Sequence, residues 1–208
     1  MWAERAARAR LLAGRYAASR EVLDFYAELA DWQGRVSDAV CAEDLLPGLV
    51  DLVTHAGPAA LREAAAHLDG LPGLEAPPPL SFFARAARQP APPRPCPWCA
   101  DHPQVGVLVP LGEGQALELI CALCLCRREA ERGRCPACSE QRLAWYSTTD
   151  FEHLRVQVCE ACRVYLHLVD LSRDPAAIAE VDELAALPLD LWAQQRGYRK
   201  LCPNLAGV

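Results

Sequence analysis

Along the chain, apolar positions first follow a helical period and then an alternating one. Val22, Phe25 or Tyr26, Leu29, Trp32 or Gln33, and Val36 recur at 3.6-residue spacing, which predicts an amphipathic helix preceded by another helical stretch, the two broken near Gly14. Further helices are predicted over Ala42 to Thr54, kinked at Pro47-Gly48, and from Pro58 to about Leu68, ending before Gly70. Between Leu71 and Pro95 eight prolines enclose one short apolar helix at Ser81 to Arg88, with Ser81 as N-cap and Phe82 and Phe83 as docking side chains. Beyond this stretch the period changes to two. Val105 to Val109, Leu117 to Ile120, Leu143 to Ser147, Leu154 to Val158 and Val164 to Val169 read as strands, the first two joined by Gly112-Glu113-Gly114 and the next two by a turn near Thr149-Asp150. Asp174-Pro175 opens a helical segment, and a main helix is predicted from about Asp182 to Arg196, stopping at Gly197 and kinked by Pro188. Leu184, Leu187, Leu191 and Trp192 are its expected apolar face.

This pattern describes an α+β chain: an N-terminal helical domain, a proline-rich linker, tandem zinc-ribbon or rubredoxin-like metal-binding units, and a C-terminal helix. The expected divisions are a helical domain over 1–70, the linker with its short helix over 71–95, ribbons over 96–134 and 135–172, and a helical tail over 173–208.

The ribbons are read from cysteines. Eight of the chain's eleven form four Cys-x-x-Cys pairs: Cys96 and Cys99, Cys121 and Cys124, Cys135 and Cys138, Cys159 and Cys162. Cysteines three apart can turn both sulfurs onto one tetrahedral ion, and two such pairs complete an all-thiolate shell. Cys96 to Cys135 is 39 positions and Cys121 to Cys159 is 38, so one unit is written twice. Sequential pairing then assigns Cys96, Cys99, Cys121 and Cys124 to one ion and Cys135, Cys138, Cys159 and Cys162 to another. The rival is a cross-braced module, whose second and third pairs lie closer together than Cys124 and Cys135. Two metal ions per chain are expected, zinc or iron, since a tetrahedral thiolate shell accepts both. Cys126 is read as a free thiol and Cys41 as a small buried residue. His102, His153 and His167 are read as turn or solvent-facing side chains rather than outer-shell partners, and no catalytic constellation is found.

Composition narrows the function classes. The 52% hydrophobic content is that of a globular chain, and paired cysteines without a visible signal peptide fit a reducing, cytoplasmic setting. The longest apolar run, near Leu45 to Val53, is too short for a membrane span, so no membrane partner is expected. Net charge is −6, and residues 96–162 carry 6 basic against 9 acidic side chains, which disfavours a nucleic-acid-binding ribbon. Arg127, Arg128, Arg132 and Arg134, interrupted by Glu129 and Glu131, read as a solvated connector.

The order of four Cys-x-x-Cys pairs, the strand Tyr165 to Asp170, Asp174-Pro175, the VDELAALPLDL segment over 181–191 and Gly197-Tyr198 together resemble the FdhE family of formate dehydrogenase accessory proteins, over roughly Cys96 to Asn204. The resemblance implies a cytoplasmic, non-enzymatic factor that helps form active formate dehydrogenase and contacts its catalytic subunit, with rubredoxin-like iron in some members. Three features depart from the family pattern. The N-terminal helical region is shorter, Ala100 and Ser139 stand where a glycine often follows the second cysteine, and the tail reads Cys202-Pro203-Asn204-Leu205. A rubredoxin-like redox protein or a generic zinc-ribbon adapter is the alternative reading.

Overall fold

A computed structural model describes residues 1–36, 41–90, 103–205 and 207. The chain divides into two compact units, residues 1–97 with 205–207, and residues 98–204 with 208.

The first unit is helical: α1 (Trp2–Arg15), α2 (Arg20–Val36), α3 (Ala42–Ala56), α4 (Ala59–Ala66) and α5 (Leu80–Ala86). Ala6, Ala9, Leu12 and Ala13 form the buried stripe of α1, small enough to pack closely against Leu23, Tyr26, Leu29 and Ala30 of α2. The break between the two helices falls after Arg15, close to Gly14 as expected, because Tyr16 leaves the helical region at φ −116° and ψ 89° and a 3-10 turn (Ala17–Ser19) follows. Pro47 is accommodated inside α3.

The short linker helix is part of this core. Phe82 packs 5.7 Å from Phe25, centroid to centroid, Phe83 is fully buried, and Gln33 of α2 donates from Nε2 to Ala86 O and Gln89 Oε1. Phe82 and Phe83 thus dock α5 onto the helices. Ser81 does not cap α5: Pro79 is the N-cap residue, and Ser81 is buried within the helix.

The second unit holds strands β1 (Pro103–Leu111), β2 (Gly114–Cys121), β3 (Arg127–Ala130), β4 (Leu143–Tyr146), β5 (Leu154–Cys159), β6 (Val164–Asp170) and β7 (Arg199–Lys200), with helices α6 (Ala179–Ala185) and α7 (Leu187–Gln195). The strands make one sheet in the order β3-β2-β1-β6-β5-β4, with β7 beside the start of β6. β1-β2-β3 and β4-β5-β6 are antiparallel meanders. They join through a parallel pairing, Gly106 to Leu168, Val107 to Val169 and Leu108 to Asp170, so the two halves share a sheet.

Because side chains alternate across a sheet, one face carries Leu108, Leu117, Leu119, Leu166 and Leu168, all buried together. Gly106 stands among them for a steric reason: a Cβ there would meet Leu168 Cδ2 at 2.5 Å and Leu117 Cδ1 at 3.2 Å. On the opposite face Val156, Val158 and Tyr165 pack with Ala193 and Tyr198 beneath α7. The predicted single helix over 182–196 is two helices: α6 ends before Ala186 and Pro188 sits in the first turn of α7, where its missing N–H costs nothing. The break rotates α7, so Leu191 is 49% exposed while Asp190 faces the core.

Candidate metal centre

Cys135, Cys138, Cys159 and Cys162 converge, with one sulfur from each within 4.8 Å of all the others. Cys135 Sγ lies 3.7 Å from Cys162 Sγ, and Cys138 Sγ lies 3.7 Å from Cys159 Sγ. For a metal–sulfur bond of about 2.3 Å, the edge of an ideal tetrahedron is about 3.8 Å. The donor set and its spacing therefore fit one tetrahedral thiolate-bound ion.

Each pair sits in the same local fold. Ser139 N donates to Cys135 O at 2.9 Å and Arg163 N to Cys159 O at 3.0 Å, each closing a tight turn around its two cysteines. The residue after the second cysteine is left-handed in both, Ser139 at φ +62° and Arg163 at φ +58°. Ser139, standing where a glycine often follows the second cysteine, therefore holds a side chain in a conformation that favours glycine. Ala137 N points at Cys135 Sγ from 3.4 Å, so backbone dipoles face the sulfur.

Those dipoles and neighbouring thiols divide the four cysteines electrostatically. Burial opposes ionisation of Cys159, but the backbone N–H groups of Cys162 and Ala161 and the thiols of Cys162 and Cys138 bring it down to about 7. Burial, with hydrogen bonding to Cys138, pushes Cys162 up to about 12, and burial likewise raises Cys135. Ionisation of Cys159 is thus favoured over that of Cys135 and Cys162, and a cation is what allows such close sulfurs to ionise together.

Cys121 and Cys124 form a third turn of this kind. Leu125 N donates to Cys121 O at 3.1 Å, Leu125 has φ +57°, and Leu123 N points at Cys121 Sγ from 3.5 Å. Their expected partners Cys96 and Cys99 lie outside the described residues, as do Ala100 and His102. Cys126 is exposed and sits just beyond this turn, its carbonyl accepting from Cys121 N. Cys41 is half-buried, with Sγ donating to Glu43 Oε2 at 2.6 Å.

His153 lies in the turn before β5, as expected, but it and His167 are buried rather than solvent-facing. His153 Nε2 meets Asp182 Oδ1 at 2.8 Å, and Asp182 Oδ2 accepts from Ile178 N, so the pair ties α6 to the β5 end of the sheet. Asp174 lies close to both but holds its own turn by accepting from Ala176 N.

His167 belongs to a buried polar group invisible in the periodicity. Lys200 Nζ lies 2.5 Å from Glu183 Oε1 and 2.9 Å from Asp190 Oδ1. Gln104 Nε2 donates to Glu183 Oε2, Tyr165 OH donates to Asp190 Oδ1, and His167 Nε2 is 3.4 Å from that same oxygen. The group stitches β1, β6 and β7 to α6 and α7. A compositional signal was there to read: Lys200 is the chain's single lysine, beside twenty arginines.

A sheet with paired cysteine turns at its strand ends, backed by two C-terminal helices, defines a zinc-ribbon-like metal-binding module. Residues 134–206 match the family model described as "FdhE, C-terminal domain". The chain is 27% identical over 116 residues to the protein FdhE homolog of Aquifex aeolicus, covering 54% of this chain and 41% of that protein. It is 35% identical over 118 residues to the homolog of Pseudomonas putida (53% and 37% covered), and 32% identical over 112 residues to the protein FdhE of Escherichia coli O9:H4 (52% and 36%). The crystal structure of the FdhE protein from Pseudomonas aeruginosa shares the fold, with a TM-score of 0.70, 22% identity, and 98% of this chain and 94% of that chain covered. The chain is similar to the FdhE proteins over these spans, and it spans about two fifths of the length of the curated relatives it matches. Among the described residues no helix is long and apolar enough to cross a membrane.

Proposed function

We propose that this chain is an accessory factor in the formation of active formate dehydrogenase, binding the enzyme's catalytic subunit in the cytoplasm and performing no turnover of its own. The observation that carries this reading is the four-sulfur cluster of Cys135, Cys138, Cys159 and Cys162 lying inside the span that matches the FdhE C-terminal domain. In this reading those four cysteines hold one ion, and Cys121 and Cys124 hold a second together with Cys96 and Cys99. Either zinc or iron suits the shell, and each ion acts chiefly by fixing the turns that position the sheet.

The test pairs co-purification with activity. Tagged chain should recover the catalytic subunit from cells making the dehydrogenase, and a strain lacking the chain should lose formate dehydrogenase activity while still making the polypeptide. Normal activity in that strain, together with no recovered subunit, would refute the reading. The alternative of a rubredoxin-like redox protein has one observation in its favour, the exposure of Cys138, which brings solvent close to the cluster. It requires an iron-loaded protein whose visible spectrum bleaches reversibly on reduction; a zinc-loaded protein with full accessory activity excludes it.

A further inference from the structure

The two edge strands of the sheet, β3 and β4, are furthest apart in strand order, yet they flank a common groove. Six neighbouring strands laid flat would span roughly 24 Å at about 4.8 Å each. A groove of ≈ 510 Å³ is nonetheless lined from β1, β2, β4, β5, β6 and the connector leaving β3. The sheet is therefore curled around this groove.

Its chemistry is one-sided. Leu108, Leu117 and Leu168, each at most 5% exposed, make an apolar floor. The wall carries Arg132 and Arg155 and no carboxylate, on a chain whose net charge is −6. Arg155 is neutralised by Asp170 at 2.8 Å, whereas Arg132 donates only to the Gln115 carbonyl and forms no ion pair among the described residues. Trp145, on β4, is 51% exposed beside the groove, and its Nε1 donates to Gln157 Oε1. Gln157 is 5% exposed and lines the groove, and its Nε2 makes no hydrogen bond among the described residues. The groove thus offers apolar contact, hydrogen-bond donors and unneutralised positive charge. Beside these runs β4, an edge strand: among the described residues it pairs with β5, on its outer side Leu143 N donates to Gln141 O, and the backbone groups of Trp145 make no bond across the edge.

We infer that this groove binds an extended, acidic and apolar peptide segment of a protein partner, added as a strand along β4. An apolar side chain of the segment rests on Leu108, Leu117 and Leu168, a neighbouring carboxylate reaches Arg132, and a backbone carbonyl accepts from Gln157 Nε2. A strand fits better than a small anion because the outward backbone groups of Trp145 on the β4 edge can pair with a main chain whose side chains meet the apolar floor and Arg132, the usual logic of strand addition. The surface is argued from the sheet alone and does not depend on which enzyme the chain serves.

The experiment uses the metal-loaded full chain and a fluorescein-labelled heptapeptide of alternating leucine and glutamate, read by anisotropy and by backbone amide exchange. Saturable binding is expected, weakened about tenfold or more when lysine replaces glutamate in the probe, a loss of about 1.4 kcal/mol or more. Arg132→Glu, an exposed position whose change spares the core, should weaken the acidic probe similarly and restore binding of the lysine probe; Trp145→Ala should weaken both. Bound probe should slow amide exchange at Trp145, the outward-facing amide of β4. Equal binding of the two probes, binding unmoved by Arg132→Glu, or charge-dependent binding without slowed exchange in β4 would each overturn the inference. Failure here leaves co-purification with the dehydrogenase subunit unaffected, so the two readings fail separately.

Discussion

Lys200 Nζ lies 2.5 Å from Glu183 Oε1 with both side chains out of contact with water, joining the last strand of the sheet to the helix that backs it. Asp190 reaches the same ammonium, so one cation faces two buried carboxylates. Removing the cation leaves two buried acids with no counter-charge, whereas removing one acid leaves a matched pair. Lys200→Met is therefore expected to destabilise the folded chain by about 3–5 kcal/mol, and Glu183→Gln by far less. Denaturant melts of the two metal-loaded variants at neutral pH check the ordering. Since Lys200 is the single lysine, an amine-reactive reagent should label only the N-terminus until the second unit opens.

The same group sets a pH dependence. Burial, aided by the negative charge of Asp190, raises Glu183 from 4.5 to about 7 against the pull of Lys200 and Gln104. A raised folded value means the proton is held better in the folded state, so this contribution is full below 4.5 and is lost as pH rises through about 7. Lys200 stays charged through its two acidic neighbours, although burial works against it. His167 runs the other way: burial lowers it from 6.5 to about 4, so its contribution is full above 6.5 and is lost as pH falls through about 4. Between 4.5 and 6.5 the two contributions offset each other, and the wild-type curve should be shallow there. Glu183→Gln removes one of them. The stability difference between wild type and Glu183→Gln should shift against the wild type by about 3 kcal/mol from pH 4.5 to 7, as paired melts can measure.

Legibility in the sequence followed the range of the interaction that makes each feature. The cysteine turns were readable because three-residue spacing fixes local geometry, and Cys135, Cys138, Cys159 and Cys162 are indeed brought together. The alternating runs gave β1, β2, β4, β5 and β6 for the same reason. β3 was missed because Arg127 to Ala130 is a charged edge strand held by β2, and its composition looks solvated. The parallel seam between β1 and β6 was also missed, since Val107 and Val169 are 62 positions apart and no local pattern encodes their pairing. Asp190 and Glu183 defeated the periodicity argument because it expects apolar residues on the buried face, and here that face carries partnered charges.

Metal removal should act on one half of the sheet at a time. Cys138→Ser deletes one of four converging sulfurs, and about one equivalent of metal should be lost relative to the wild type, with Leu143–Cys159 becoming proteolytically sensitive. Cys124→Ser should lose the other equivalent and loosen β2 and β3 instead. Elemental analysis with limited proteolysis reads both outcomes. Loss of both equivalents from either variant would show that the two sites are not independent.

The last expectation concerns the turns themselves. Ser139 and Arg163 occupy equivalent left-handed positions, at φ +62° and +58°, immediately after the second cysteine of their pairs. Backbone strain alone predicts that glycine is favourable at both, by about 1 kcal/mol, reduced by the greater freedom glycine gives the unfolded chain. The side chains separate the two cases. Ser139 is exposed, and only its backbone groups make hydrogen bonds, its carbonyl accepting from Arg134 Nη1. Arg163 stacks on the Tyr198 ring at 3.7 Å, donates to Glu160 Oε2 at 2.9 Å and donates to the Arg196 carbonyl, anchoring the end of α7 to the Cys159 turn. Ser139→Gly should therefore raise the thermal midpoint of the metal-loaded chain by a few degrees, while Arg163→Gly should lower it. If Arg163→Gly stabilises as much as Ser139→Gly, the stacked guanidinium contributes nothing to holding α7, and backbone conformation alone governs these turns.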